Sequence, residues 1–107
     1  MTGKKRLQVL ANYLLSGAVD KDEFTMGKWP QCAIGEATRL PSLAKEGLEL
    51  GTDWDGSDIP TYEEAKGFGA CANFFSIPLA LANKFFGPER RSAEVVGKQL
   101  MSYLKRS

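Results

Sequence analysis

The sequence contains no histidine, and this absence excludes several kinds of chemistry. Histidine is the commonest general base and the commonest metal ligand in proteins. Ser-His-Asp and Cys-His catalysis are therefore excluded within this chain. The two cysteines alone cannot fill the tetrahedral shell of a structural zinc ion. We therefore predict no catalytic residue, no cofactor and no structural metal, and we favour a function that is not enzymatic.

The sequence also lacks a long apolar run. The longest one, residues 68–82, is interrupted by Asn73 and Pro78 and is too short to span a bilayer. Residues 4–6 are basic and precede an apolar stretch, as in a secretory signal, but the apolar residues that follow fall on one helical face. We therefore predict a soluble, cytoplasmic protein without a membrane partner, in which both cysteines are free thiols.

Neither sign of charge is scarce, but the charges are unevenly distributed along the chain. Residues 1–19 carry a net charge of +3, residues 20–64 carry −7 and residues 65–107 carry +5, which together give +1. Basic ends around an acidic middle would suit a nucleic-acid-binding face. The simpler interpretation is that solvated faces alternate in sign. Nucleic-acid binding by the basic chain ends is therefore kept as an alternative function.

Hydrophobic periodicity predicts a mainly α fold with five or six short helices. The chain is long enough for one domain with one core, so we expect a single compact helical domain over residues 1–107. Thr2 and Ser92 are expected to cap the first and last helices, and Ser76 to cap the helix that follows Pro78. The predicted helices cover about residues 2–18, 31–40, 42–48, 62–76, 78–86 and 93–106. A small β-hairpin is predicted across residues 51–58.

Two segments each combine one cysteine with small residues: residues 32–37, which begin with Cys32, and residues 67–75, which contain Cys71. Helical spacing places Cys32 and Gly35 on one face of the first segment. Two such faces would allow a close helix crossing in which the cysteines are buried as small hydrophobic residues. The alternatives are an enzyme that uses a reactive Cys32 near a helix N-terminus, and a disulfide between the two cysteines in an oxidising compartment.

The acidic segment 53–64 partly matches a twelve-residue calcium loop. Four oxygen-bearing side chains occupy its ligand positions one, three, five and twelve: Asp53, Asp55, Ser57 and Glu64. The central glycine of such a loop is replaced by Asp58, and Pro60 stands where an apolar residue is expected. A solvated acidic turn explains the same residues, so we predict no metal and keep calcium as a weak alternative.

Tryptophan and arginine supply the candidate binding residues. Trp54 would lie at the tip of the predicted hairpin, where an exposed tryptophan can anchor a protein contact. Arg90 and Arg91 lie in an aromatic-rich part of the chain, a combination that can also stack nucleic-acid bases. The sequence thus favours a small protein-interaction or regulatory module, with candidate binding residues Trp54, Trp29, Arg90 and Arg91.

The order of short motifs along the chain resembles a set of small uncharacterised bacterial and phage proteins. The motifs are Phe24-x-Met26-x-x-Trp29, Cys32-Ala-x-Gly-x-Ala37, Pro60-x-Tyr62 and Phe74-Phe75, followed by a serine-capped last helix. Members of that set often have more cysteine or glycine directly before the Cys-Ala segment, where this chain has Trp-Pro-Gln. The resemblance implies a self-contained small domain, and it carries no known reaction and no catalytic residue.

Overall fold

The computed structural model describes residues 1–106 and combines six α-helices with a small antiparallel sheet. The helices are α1 (Gly3–Leu15), α2 (Ala33–Arg39), α3 (Pro41–Ala44), α4 (Phe68–Phe75), α5 (Leu79–Phe86) and α6 (Ala93–Arg106), and one 3₁₀ turn covers Trp29–Gln31. The strands are β1 (Glu49–Thr52), β2 (Asp58–Tyr62) and β3 (Ala65–Lys66), with β2 in the centre. The predicted mainly α fold with a small hairpin is confirmed. Within residues 1–106, none of the helices has both the length and the apolar character needed to cross a membrane.

Helices α1 and α6 make the most extensive helix–helix contact in the domain. They run antiparallel, because Leu15 at the end of α1 lies beside Gly97 near the start of α6, whereas Gln8 Nε2 lies 3.4 Å from Met101 Sδ. A Cβ atom at position 97 would be 2.9 Å from Leu15 Cγ, so the missing side chain allows the close approach. Both ends of the described chain consequently lie at the same end of the helix pair.

Side-chain caps begin the first and last helices as predicted. Thr2 Oγ1 accepts a hydrogen bond from the Lys5 backbone N–H at 3.0 Å, and Ser92 Oγ accepts one from Val95 N–H at 3.2 Å. Ser76 behaves differently, because it ends α4 in the left-handed conformation (φ 54°) and does not cap α5. Helix α1 also stops at Leu15, three residues before its predicted end.

The segment 62–66, predicted as the start of a helix, instead forms a tight turn and the third strand. Glu63 has φ 55° and Gly67 has φ 64°, and neither value fits a right-handed helix. Glutamate, alanine and lysine are good helix formers, so the local composition favours a helix here. Pairing with β2 overrides that preference, and α4 begins only at Phe68.

Pro60 lies in the central strand, a position that proline usually avoids because it has no N–H to donate. Its carbonyl accepts a hydrogen bond from Gly67 N–H at 2.9 Å, so its ring nitrogen faces the same side. An N–H group at position 60 would donate to the Gly67 carbonyl. That carbonyl instead accepts a hydrogen bond from Cys71 N–H at 3.2 Å in the first turn of α4. The missing donor therefore leaves no acceptor unpaired.

The buried side chains form one continuous hydrophobic cluster that includes both cysteines. Its largest fully buried members come from all six helices and from the residue before β1: Phe74, Phe75, Phe86, Leu7, Leu10, Ile34, Leu43, Leu48, Leu100 and Val96. The rings of Phe74 and Phe75 meet edge to face with centroids 5.0 Å apart. A single core of this kind agrees with one domain over the described residues.

The prediction of a close helix crossing between the two cysteine segments is wrong. Gly35 does allow a close approach, but its neighbour is not α4. Within the described chain α2 and α4 have no extensive contact, and Gly35 instead faces the 3₁₀ turn. A Cβ atom at position 35 would lie 2.3 Å from the Pro30 carbonyl oxygen and 2.4 Å from that of Trp29. The close approach that glycine permits is therefore between α2 and the turn directly before it.

Gly35→Ala tests this contact. The added methyl group must displace the backbone of the 3₁₀ turn, so we expect the free energy of unfolding to fall by about 1–3 kcal/mol or more. Gly69→Ala is the matched helical control, because its Cβ would have no neighbour closer than 4.0 Å. That variant should be neutral or stabilised by up to about 1 kcal/mol. Urea unfolding followed by circular dichroism measures both, and equal stabilities would contradict the packing described here.

Candidate functional site

A cleft opens between residues 26–29 and the connection from α5 to α6. Its apolar part has a volume of about 200 Å³ and is lined by Met26, Gly27, Trp29, Phe68, Phe86 and Pro88. An adjoining cavity of about 500 Å³ shares Met26, Gly27 and Pro88 and continues along Phe24 and Thr25 to Arg90 and Arg91. We call these two adjoining cavities together the arginine-flanked cleft.

Trp29 forms one wall of the cleft and is held from several directions. Its half-buried ring meets Phe68 edge to face, with centroids 5.0 Å apart. The Trp29 carbonyl accepts a hydrogen bond from the Cys32 thiol at 3.1 Å, and the neighbouring Pro30 carbonyl accepts one from Arg39 Nη1 at 2.7 Å. The backbone of the 3₁₀ turn is therefore fixed, and the wall exists before any ligand binds.

The loop that supplies Phe24 and Met26 is ordered by its own hydrogen bonds. Asp20 Oδ1 accepts from Asp22 N–H at 2.9 Å, and the Asp20 carbonyl accepts from Phe24 N–H at 3.0 Å. Thr25 N–H then donates to the Gln31 carbonyl at 3.0 Å, which ties the loop to the 3₁₀ turn. These bonds place the two apolar side chains against the core from a segment without helix or strand.

The two arginines at the other end of the cleft are held differently. Arg91 folds back and donates from Nη2 to the Gly87 carbonyl at 3.1 Å and from Nη1 to Gln99 Oε1 at 2.5 Å. Both acceptors are neutral, so they orient the guanidinium without balancing its charge. Arg90 is exposed. Among residues 1–106, neither arginine forms a salt bridge with a carboxylate.

Trp54 lies outside the cleft, at the tip of the β1–β2 hairpin, and is 91% exposed. The tip is a three-residue loop in which Gly56 has φ 86° and donates its N–H to the Asp53 carbonyl at 2.9 Å. Asp53 N–H donates to the Ser57 carbonyl at 2.8 Å, and Asp55 Oδ1 accepts from the backbone N–H and the hydroxyl of Ser57. The tip thus has a defined shape that presents the indole to solvent.

The four candidate calcium ligands do not converge. Three of them, Asp53, Asp55 and Ser57, lie at the hairpin tip, whereas Glu64 follows the other end of β2. A five-residue strand of roughly 17 Å separates the two places. In the part of the chain that the structure describes, no cluster of histidine, cysteine, aspartate or glutamate side chains is arranged to hold a metal ion. The geometry therefore does not support the calcium alternative.

Cys32 and Cys71 are free thiols in the core. Burial raises the pKa of Cys32 above its usual value, and the backbone N–H groups of Gly35 and Ile34 offset only part of this effect. Burial, together with the nearby Cys32, also raises the pKa of Cys71. Both thiols are consequently protonated at neutral pH, which does not support a nucleophilic Cys32.

The antiparallel arrangement of α1 and α6 places the basic chain ends together. Lys5 at the start of α1 and Lys105 and Arg106 at the end of α6 are exposed at the same end of the pair, which we call the basic end. Arg6 does not belong to it. Its guanidinium lies 4.4 Å from the centroid of the Phe74 ring and donates to the Phe74 carbonyl at 2.9 Å.

Three of the four predicted binding residues, Trp29, Arg90 and Arg91, therefore meet at one cleft, and Trp54 does not. The other lining residues were missed as site residues: Phe24, Thr25, Met26, Gly27, Phe68, Phe86 and Pro88. Their sequence pattern indicates only core or turn. Whether one edge of an apolar side chain stays accessible depends on segments far away in the sequence.

Comparison of the chain with protein-family models, with curated proteins and with solved structures gives no match. The resemblance to small bacterial and phage proteins accordingly stays a prediction.

The buried thiols generate a prediction about reactivity and pH. In the native protein both cysteines should react with an aromatic disulfide reagent at least about a hundredfold more slowly than in urea, because only the unfolded chain exposes thiolates. The free energy of unfolding should also fall as the pH rises above the usual cysteine pKa of 9.0, since unfolded thiols lose protons while the buried ones keep theirs.

The variant Cys71→Ala isolates Cys32 in the same measurement. Slow labelling of the remaining thiol, with a rate that follows unfolding, is the expected result. Rapid labelling of Cys32 in the folded variant at neutral pH would contradict its burial and support a reactive thiol.

Proposed function

We propose that this protein is an interaction module that binds an acidic peptide segment carrying one large apolar side chain. One observation carries the proposal: apolar walls and two arginines meet in one cleft, and no carboxylate of residues 1–106 pairs with either arginine. Arginine and aromatic residues are the types most enriched where protein interfaces concentrate their binding energy.

The apolar part of the cleft supports a side chain as its ligand. Its volume of about 200 Å³ has room for one large side chain, and the adjoining cavity of about 500 Å³ has room for the residues on either side of it. The rings of Trp29 and Phe68 line it and would contact an apolar or aromatic side chain with their faces and edges. A single anchoring residue of a peptide fits these dimensions and this chemistry.

The charged part of the cleft supports carboxylates beside that anchor. Gly87 and Gln99 already orient the Arg91 side chain. A carboxylate that binds Arg91 therefore causes little further loss of side-chain entropy. Arg90 is exposed and contributes attraction at longer range, which raises the association rate. A guanidinium can bind a carboxylate with two parallel hydrogen bonds, a geometry that favours aspartate and glutamate over neutral residues.

The proposed module would act in the cytoplasm. Cys32 and Cys71 are both unpaired. Free thiols of this kind are typical of a reducing compartment.

Binding is tested with the variant Trp54→Ser, which leaves Trp29 as the only tryptophan and makes its emission a reporter of the cleft. We expect a synthetic Asp-Asp-Phe-Asp-Asp peptide to shift this emission, because it supplies both the apolar anchor and the carboxylates. Adding Arg90→Glu to this variant should weaken binding about tenfold or more, since like charges then face each other.

Lys45→Glu provides the matched control, because it makes the same charge change at an exposed position outside the cleft. That variant should bind the peptide as the parent does. A Lys-Lys-Phe-Lys-Lys peptide that binds equally well, or an Arg90→Glu variant with unchanged affinity, would contradict the proposal.

A second candidate function, nucleic-acid binding at the basic end, is favoured by one observation. The antiparallel helices bring Lys5 close to the end of α6, where Lys105 and Arg106 are exposed. A labelled DNA duplex should then bind at low salt, with an affinity that falls steeply as salt is added. The double variant Lys105→Glu/Arg106→Glu should abolish this binding. Fluorescence anisotropy measures it, and an unmodified chain that binds no duplex at low salt would contradict this second function.

A further inference from the structure

The hairpin tip of this same chain has the chemistry that the arginine-flanked cleft requires. Trp54 is 91% exposed, far more than the next large apolar side chain, Leu79 at 55%. A tryptophan held in water at the tip of a rigid loop is an unusual use of the residue most enriched at binding hot spots. Covering it needs an apolar surface with room for one ring.

Carboxylates surround this tryptophan. The segment 53–58 contains Asp53, Asp55 and Asp58 and no basic residue. The hydrogen bonds from Ser57 lower the pKa of the Asp55 carboxyl, so the group carries its negative charge at neutral pH. The tip therefore joins an aromatic anchor with negative charge, and the cleft joins apolar walls with Arg90 and Arg91.

The hairpin tip and the cleft are both ordered within the single chain. The tip is closed by hydrogen bonds between Asp53, Gly56 and Ser57, and the cleft is held through Arg91 and the 3₁₀ turn. A contact between two ordered surfaces loses little conformational entropy on binding. Within one chain the tip is exposed and does not line the cleft, so the two can only meet between molecules.

We infer that the β1–β2 hairpin tip of a second copy of this chain occupies the arginine-flanked cleft, with Trp54 against Trp29 and Phe68 and the tip aspartates against Arg90 and Arg91. The inference rests on the proposed function, because it names the acidic segment that the cleft binds. The two surfaces differ, so the contact either is exchanged reciprocally in a dimer or continues head to tail into a larger assembly.

Sedimentation velocity over a range of protein concentrations tests the inference. The unmodified chain should associate reversibly, and Trp54→Ser and Arg90→Glu should each raise the dissociation constant about tenfold or more. Mixing these two variants should restore association at concentrations where each alone is monomeric, because one keeps the cleft intact and the other keeps the tip intact. Both positions are exposed, and circular dichroism should show unchanged folding.

Leu79→Ser is the control for loss of an exposed apolar side chain, and it should associate like the unmodified chain. A monomeric unmodified chain, association that Trp54→Ser leaves unchanged, or a mixture that stays monomeric would each overturn the inference. The acidic phenylalanine peptide separates this failure from failure of the proposed function. If Trp54→Ser binds that peptide while the unmodified chain stays monomeric, the cleft binds acidic segments and the second copy is not its ligand.

Discussion

The contact between Gly35 and the backbone of residues 29–30 is the constraint on which the site depends. A side chain at position 35 would occupy the space of two carbonyl oxygens, so only glycine lets the 3₁₀ turn lie directly on α2. In that position the turn satisfies its carbonyls locally, through the Cys32 thiol and Arg39 Nη1. Because the turn cannot move, the Trp29 ring meets Phe68 and forms a fixed wall of the cleft.

The opposite wall depends on the helix pair α1 and α6. Arg91 connects the Gly87 carbonyl, directly after α5, to Gln99 on α6, so the position of Arg91 follows that of α6. The position of α6 is in turn set by its packing on α1, which Gly97 brings close. Two glycines in different helices thus determine the two sides of one cleft. In both cases the absence of a side chain allows a close approach, and the chemistry of the site follows from the geometry.

Much of the fold could be predicted because it depends on local patterns. The caps at Thr2 and Ser92 and the hairpin across residues 51–58 follow from side chains and turns a few residues apart. Residues 62–66 show where such patterns fail, since their helix-forming composition is overridden by pairing with β2. Gly35 shows a second limit of local patterns. The small residues around it correctly predict close backbone packing, but they do not identify the segment that packs there.

Some features of the candidate site follow from the sequence, and others depend on the tertiary structure. The sequence alone determined the absence of histidine chemistry, the separation of acidic and basic segments, and the position of Trp54 on a short turn. Each of these depends on composition or on neighbouring residues in the chain. Long-range packing decides that Cys32 is buried and that Arg6 turns inward to Phe74. It also decides that Trp29 and the two arginines line adjoining cavities. The physical reason is that accessibility and charge pairing depend on contacts between segments tens of residues apart, which no local periodicity records.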